Sequence, residues 1–200
     1  MIRPLLVALL AALLGATSAW ATTTPQVGVG VFGGLSVPVL QNVDVSSFSP
    51  SDAFGPTGSQ FGIRVPVKVI PVVTLEPFFA KSNYKDQEET FGGLTYKRQG
   101  YDGTAFGLNA ILGRVGGSGV NFYPYVGLGT FKLSRDTDEI NKMGWNFGLG
   151  LGFSPAPRWS IQFRPEFNMV VTGDTSRKFG NATIGVNYEI MPEGGSHEAK

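Results

Sequence analysis

Apolar residues recur at every second position through most of the chain, most clearly between Met143 and Val171. There Met143, Trp145, Phe147, Leu149, Leu151 and Phe153 alternate with Gly144, Asn146, Gly148, Gly150 and Gly152. Beyond Ser154–Arg158 the alternation resumes, with Trp159, Ile161, Phe163, Pro165, Phe167, Met169 and Val171 on one face. Ser160, Gln162, Arg164, Glu166 and Asn168 form the other. A period of two sends successive side chains into opposite environments and predicts two strands joined by a turn. The same period runs through Val27–Val39, Phe61–Val69, Val73–Phe79, Phe106–Leu112, Phe122–Leu128 and Ala182–Ile190. That makes about eight strands.

The division between faces is unusual. A half-buried soluble sheet turns large apolar side chains inward and polar ones to water. Here the second face carries a row of glycines beside Arg164 and Glu166, too small and too charged for an ordinary solvated surface. It suits the tight interior of a small membrane barrel whose apolar face meets lipid. A bilayer admits only helices and closed barrels, because an unpaired backbone group in hydrocarbon costs several kcal/mol. The prediction is an all-β fold, an eight-stranded antiparallel up-and-down transmembrane β-barrel. Connections alternate long and short, as outer loops and inner turns do in such barrels. On the glycine face a small polar residue, as in Gly148→Ser, is expected to be far milder than a charge on the apolar face.

Aromatic positions sharpen the lipid assignment. Phe122, Phe153, Trp159 and Tyr188 fall near the strand ends on the side of the chain termini, and Phe61, Phe79, Phe106 and Trp145 near the opposite ends. The middles are mostly Val, Leu, Ile and Ala, so two aromatic girdles flank an aliphatic band. Pro77, Pro124 and Pro165 interrupt the pattern, since each lacks a ladder donor and implies a local bulge. Gly28-Val-Gly30-Val-Phe-Gly33 matches a dinucleotide-binding pattern, but that motif needs a helix to follow and the alternation continues instead.

Composition narrows the function. With 200 residues the chain suits one domain, and a net charge of +1 offers no basic stripe for nucleic acid. Zero cysteines remove disulfides, thiolate metal sites and cysteine nucleophiles. A mean hydropathy of only +0.05 is compatible with a barrel, whose alternating faces cancel in the average. At the start, Arg3, the apolar run Leu5–Leu14 and Ala19-Trp20-Ala21 have the layout of a cleaved signal peptide. The expected organisation is a signal peptide over 1–21, a barrel over 22–190 and a polar tail over 191–200.

The signal, the amphipathic strands, Leu75-Glu76-Pro77-Phe78-Phe79 and the glycine-alternating strand over 144–152 resemble bacterial outer-membrane β-barrel proteins of the OmpA/OmpX-like kind. The resemblance covers nearly all of the mature chain. It implies outer-membrane localisation in a Gram-negative-type envelope and insertion by the barrel assembly machinery. It further implies contact with outer-membrane lipids and lipopolysaccharide, as a monomer. The chain departs from the family in its ending: Tyr188 is followed by Glu189-Ile190 and a polar tail instead of a terminal aromatic. No part of the sequence is expected to form the peptidoglycan-binding domain that follows the barrel in OmpA.

Candidate chemistry is sparse. The lone histidine, His197, lies in the tail, away from any triad on the barrel, and no metal or cofactor is expected. Arg64, Lys68, Glu76, Arg164 and Glu166 have inward parity and are expected to form a charge network across the lumen, with Arg64 opposite Glu76 if a turn centres on Ile70–Pro71. A turn at Gly92–Gly93 sets Phe91 opposite Leu94, Glu89 opposite Tyr96, Tyr84 opposite Tyr101 and Glu76 opposite Asn109. Because crossing takes only about ten residues per strand, Ser82–Asp102 is expected to project as a ribbon. It would expose Tyr84, Tyr96 and Tyr101 for docking a partner by β-augmentation. The reading is a non-enzymatic outer-membrane protein with a structural or surface-interaction role. A narrow or gated pore is the second reading, and a lipid A-modifying enzyme the third.

Overall fold

The computed structural model describes residues 26–39, 57–91, 94–98, 100–116, 119–135, 138–171 and 176–191. The expected signal peptide over 1–21, the Gly92–Gly93 turn and the tail beyond Met191 lie outside these residues. The strands are β1 (Gln26–Val39), β2 (Gly58–Arg64), β3 (Val67–Ile70), β4 (Val73–Tyr84), β5 (Gln87–Phe91) and β6 (Leu94–Arg98). They continue with β7 (Tyr101–Leu112), β8 (Gly119–Arg135), β9 (Asp138–Ala156), β10 (Trp159–Val171) and β11 (Ser176–Met191). Neighbours pair antiparallel in chain order, and β11 returns to β1 from Val27–Met191 to Val39–Lys178. The result is a closed eight-stranded antiparallel barrel, with no helix among the described residues.

β2 and β3 form a single barrel strand interrupted at Val65–Pro66. The interruption faces Pro77, which has no N–H to offer. Its carbonyl still accepts from Val65 N at 3.0 Å, and the Pro66 carbonyl accepts from Gly28 N at 2.8 Å. The break in one strand therefore sits where its neighbour lacks a donor. The following turn centres on Pro71–Val72, with Ile70 opposite Val73. This moves the predicted register by two residues, so Arg64 lies opposite Phe78 and not Glu76. An even shift preserves the face on which each side chain lies. At the other short turn β9 persists to Ala156, and only Pro157 and Arg158 separate it from β10. Arg158 has φ 68°, the left-handed conformation required at the third position of a type II turn.

On the far side of the barrel, β4 and β7 pair in the predicted register, with Tyr84 opposite Tyr101, Phe78 opposite Gly107 and Glu76 opposite Asn109. β5 and β6 continue it as a separate two-stranded sheet, with Phe91 opposite Leu94 and Glu89 opposite Tyr96. The ribbon is shorter than predicted. Ser82 and Asn83 pair with Gln60 and Ser59 of β2, and Asp102 with Ser134 of β8, so these residues belong to the barrel wall. Among the described residues only β5 and β6 stand apart as their own sheet.

Apolar outward positions form a continuous belt. Val31, Leu35, Ile63, Leu128, Leu149, Ile161 and Ile184 are all exposed. The girdle residues lie on this face too. Phe122, Phe153 and Trp159 are exposed near the termini, with Tyr188 half-exposed beside Trp159 at 4.9 Å between ring centroids. Phe61, Phe79, Phe106 and Trp145 are exposed toward the loop end. Beyond that second row the polarity of the wall inverts. Outward positions become Lys81, Asn83, Asp102, Lys132, Glu139 and Asn141, with a Lys132–Glu139 ion pair at 2.8 Å and an Asn83–Asp102 hydrogen bond at 2.7 Å. Inward positions there hold Tyr84, Ala105, Phe131, Leu133, Val170 and Phe179, packed with Tyr101 and Ile140. A polar outer face over an apolar interior is the arrangement of a soluble β-barrel.

This boundary has a measurable consequence. A midplane arginine on the lipid face costs roughly 2–4 kcal/mol and one near the interface roughly 0–1. Leu149→Arg is expected to lower stability in phospholipid vesicles by about 2–4 kcal/mol, whereas Asn141→Arg leaves it nearly unchanged. Urea titration of tryptophan fluorescence in vesicles checks both.

Candidate functional site

Between the two aromatic rows the barrel interior holds Arg64, Glu76 and Arg164, all buried, and the partly buried Glu166. Adjacent strands bring inward positions together: Tyr123 and Tyr125 of β8 face Gly150 and Gly148 of β9, and Gly127 faces Asn146. A Cβ on Gly150 would run into the Tyr123 ring, one on Gly148 into the Tyr125 ring, and one on Gly144 into the Phe131 ring. The glycine row is thus the space into which β8 lays its aromatic side chains. This corrects the expectation for Gly148→Ser: the site has no room for a Cβ, because both the Tyr125 ring and the Pro165 carbonyl occupy it.

At mid-height Arg164 of β10 reaches across the lumen to Glu76 of β4. Its Nη1 donates to Oε1 at 2.6 Å and its Nη2 to Oε2 at 2.8 Å, a bidentate pair with both side chains fully buried. Arg164 Nε donates to the Tyr123 hydroxyl at 2.9 Å, and that hydroxyl donates to Gln162 at 3.1 Å. The guanidinium also lies 5.1 Å and 5.3 Å from the Tyr123 and Tyr125 ring centroids. Planar bidentate geometry, with Nε bonded as well, is the arrangement in which a buried ion pair is tolerated.

From Glu76 the bonding continues toward the loop end. Asn109 donates to Glu76 at 3.0 Å, and Asn146 donates to Asn109 at 2.7 Å and to Glu166 at 3.3 Å. Glu166 also accepts from Tyr125 at 3.0 Å, Asn168 at 2.8 Å and Asn181 at 3.1 Å. Ser36 donates to Asn181 at 2.6 Å and lies 2.6 Å from the Tyr84 hydroxyl. One hydrogen-bonded chain therefore runs from Gln162 to Tyr84, where the apolar cluster of the loop end begins.

The charged residues singled out from sequence occupy different places. Arg164 and Glu76 form the central pair, and Glu166 joins through Asn146 and Asn109. Arg64 is buried, but it donates to Thr183 at 3.1 Å and stacks 3.7 Å over the Phe32 ring. The expected Arg64–Glu76 pairing is replaced because the two-residue register shift carries Arg64 away from Glu76, while barrel closure brings Arg164 to it. Lys68 is half-buried nearer the termini, opposite Gln26 and Thr74.

Two of the proposed docking tyrosines face inward. Tyr84 is buried and stacks on Tyr101 at 4.4 Å between centroids, and both approach Phe179. They belong to the apolar cluster, because the barrel wall extends past them before the ribbon starts. The backbone of Tyr96 lies in β6, opposite Glu89. Sequence reasoning missed the asparagines at 109, 146, 168 and 181 as bonding partners. The available signal was their inward parity on neighbouring strands. No group of His, Cys, Asp or Glu suited to a metal ion occurs among the described residues.

A family model described as "Outer membrane protein beta-barrel domain" matches residues 7–189. No curated protein matches the chain. Among solved structures, Neisserial surface protein A is similar at 12% identity and a TM-score of 0.60, over 82% of this chain and 97% of that one. A major outer membrane protein from Thermus thermophilus is similar at 11% identity and a TM-score of 0.54, over 84% and 100%. At these identities the likeness is one of fold.

Removing one partner of a buried ion pair leaves an uncompensated charge and costs roughly 3–5 kcal/mol. Glu76→Ala is expected to lower unfolding stability by about that amount, and the double variant Glu76→Ala/Arg164→Ala by less than the sum of its parts. Denaturant unfolding in micelles reads this cycle. Gly148→Ser is expected to destabilise as well, measured in the same assay, since the Tyr125 ring must leave its seat.

Proposed function

The chain belongs to the outer-membrane β-barrel family, and from that premise we propose that it serves a structural or surface-interaction role, with a plugged lumen and a hairpin presented outside the cell. The observation that carries this reading is the unbroken chain of hydrogen bonds through the lumen, from Gln162 through Arg164, Glu76, Asn109, Asn146 and Glu166 to Tyr84. Side chains that bond to one another across a narrow barrel fill the path a passing ion or solute would take. The apolar cluster at the loop end would close the same path a second time.

In this reading residues 1–21 are removed after export, the mature chain starts near Thr22, and both termini face the periplasm. The loop end then stands in the external medium, where its charged outer wall and apolar interior behave as a soluble barrel. β5 and β6 extend from that end. Their free strand edges suit β-augmentation by an extended segment of a partner. Tyr84 and Tyr101 stack inside the barrel below this hairpin, so docking would rest on the backbone edges of β5 and β6. The barrel is proposed to act without catalysis. Its interior carboxylates Glu76 and Glu166 support this, since both are engaged by Arg164, Tyr125 or asparagine donors.

Two measurements test the reading. Refolded wild-type protein in planar bilayers is expected to give no conductance steps, while Glu76→Ala/Arg164→Ala gives small ones. Regular steps in the wild type would establish the pore reading instead. Deleting Asp86–Arg98 is expected to abolish cell-surface binding to a partner while heat-modifiable migration of the barrel persists. Binding that survives the deletion overturns the role of the hairpin.

A further inference from the structure

The turn between β7 and β8 departs from the barrel wall. The last β7–β8 pair is Ile111–Tyr125, whereas β8 goes on pairing with β9 as far as Gly119–Ser154. β7 therefore stops short on its β8 side, and the chain beyond Leu112 takes another course. Gly113 stays beside β4: its N–H donates to the Val72 carbonyl at 2.9 Å and its carbonyl accepts from Thr74 Oγ1 at 3.1 Å. Positive φ at Gly113 (125°) and Gly116 (93°) then bends the segment inward. Val115 is buried in the lumen, packed with Ile111, Tyr123 and Tyr125. The Gly116 carbonyl accepts from Asn121 Nδ2 at 3.0 Å. A Cβ on Gly116 would run into the Glu189 carboxylate, which comes from β11, three strands from β8. The turn thus lies across the mouth of the lumen at the end where the termini are.

Burial behind the turn is that of a closed mouth. Ser160 of β10 pairs with Asn187 of β11, one residue from the Trp159–Tyr188 pair that ends this ladder. At an open rim, inward side chains so close to the edge would meet bulk water, yet these two are only 1% and 3% exposed. Glu189, nearer still to the edge, is also buried. Neither amide atom of Asn187 has a protein partner, so the space behind the turn is polar and suited to trapped water. Deeper in, Gln162 donates to Ser160 at 3.3 Å and accepts from Tyr123, which leads to the ion pair.

We infer that Gly113–Gly116 is a stopper in this mouth, keeping solutes larger than simple ions out of the polar chamber behind it. It is a closure separate from the ion pair at mid-height and from the apolar cluster at the loop end. Val115 anchors it on inward residues that the wall holds in place, and the bare α-carbon of Gly116 lets it lie against Glu189. The segment belongs to no ladder, so displacing it leaves every cross-strand pair of the barrel intact.

The chain has no cysteine, so one introduced thiol reports access. Ser160→Cys, Ser36→Cys on the loop side of the ion pair, and exposed Asn141→Cys are each refolded in micelles and treated with a cationic methanethiosulfonate. With the native turn, Ser160→Cys is expected to react at least about a hundredfold more slowly than Asn141→Cys. Adding Val115→Asp, whose carboxylate is expelled from among Ile111 and the tyrosine rings, should speed Ser160→Cys by at least about tenfold. Gly116→Val, which can neither keep the positive φ nor clear Glu189, should do the same. Ser36→Cys should stay slow throughout. Native-turn Ser160→Cys reacting as fast as Asn141→Cys overturns the stopper, whether or not either turn variant folds. So does an unchanged Ser160→Cys rate in turn variants that keep heat-modifiable migration. An equal rise at Ser36→Cys also overturns it, because the whole barrel would then have loosened. The lumen plug is read by bilayer conductance, so each closure can fail without the other.

Discussion

The seam at which β11 returns to β1, from Val27–Met191 to Val39–Lys178, is the constraint on which the other features depend. In hydrocarbon an open sheet edge leaves a row of unpaired N–H and C=O groups, each costing several kcal/mol. Closure removes the edge, and with eight strands it leaves an interior only wide enough for side chains. Once the wall is closed, every inward residue competes for the same narrow volume. The prolines must then fall where the ladder ends or is already interrupted, as Pro77 does opposite Val65–Pro66 and Pro165 between β9 and β10.

Volume and charge are solved together inside. Glycines of β9 vacate the places that Tyr123, Tyr125 and Phe131 fill from β8. The hydroxyls of the two tyrosines then meet Arg164 and Glu166. Arg164 and Glu76 satisfy each other in a bidentate pair, with Asn109 and Tyr123 taking further bonds. A charge held in so little space is tolerable only when its lone pairs and protons are matched in this way. The continuity of this bonding motivates the plug proposed for the lumen.

The wall changes character along its height without changing its fold. Below the row of Phe61, Phe79, Phe106 and Trp145 it is apolar outside and polar inside. Above it, Lys81, Lys132 and Glu139 face out while Phe131, Leu133 and Phe179 face in. The strands β8 and β9, of 17 and 19 residues, are longer than the roughly ten needed to cross a bilayer. Their excess length builds a second, water-adapted storey on the first.

Much of this was determined by sequence alone, because a strand's period of two is local. Parity assigned the lipid face from Val31 to Ile184, the aromatic girdles and the inward places of Arg164 and Glu76. Parity combined with the Gly92–Gly93 turn also set the pairing of Tyr84 with Tyr101 and Glu89 with Tyr96. Partner choice across the lumen was decided by the tertiary structure. Arg64 and Arg164 have the same parity, and only closure of the barrel with its particular stagger brings the second, 88 residues away in sequence, to Glu76. The burial of Tyr84 and Tyr101 was likewise hidden, since parity says which face a residue takes but not what medium lies beyond that face. The glycine row read correctly as a tight interior, but its occupants come from the neighbouring strand. Their identity depends on register, which the folded sheet supplies through turns as short as Pro71–Val72 and Pro157–Arg158.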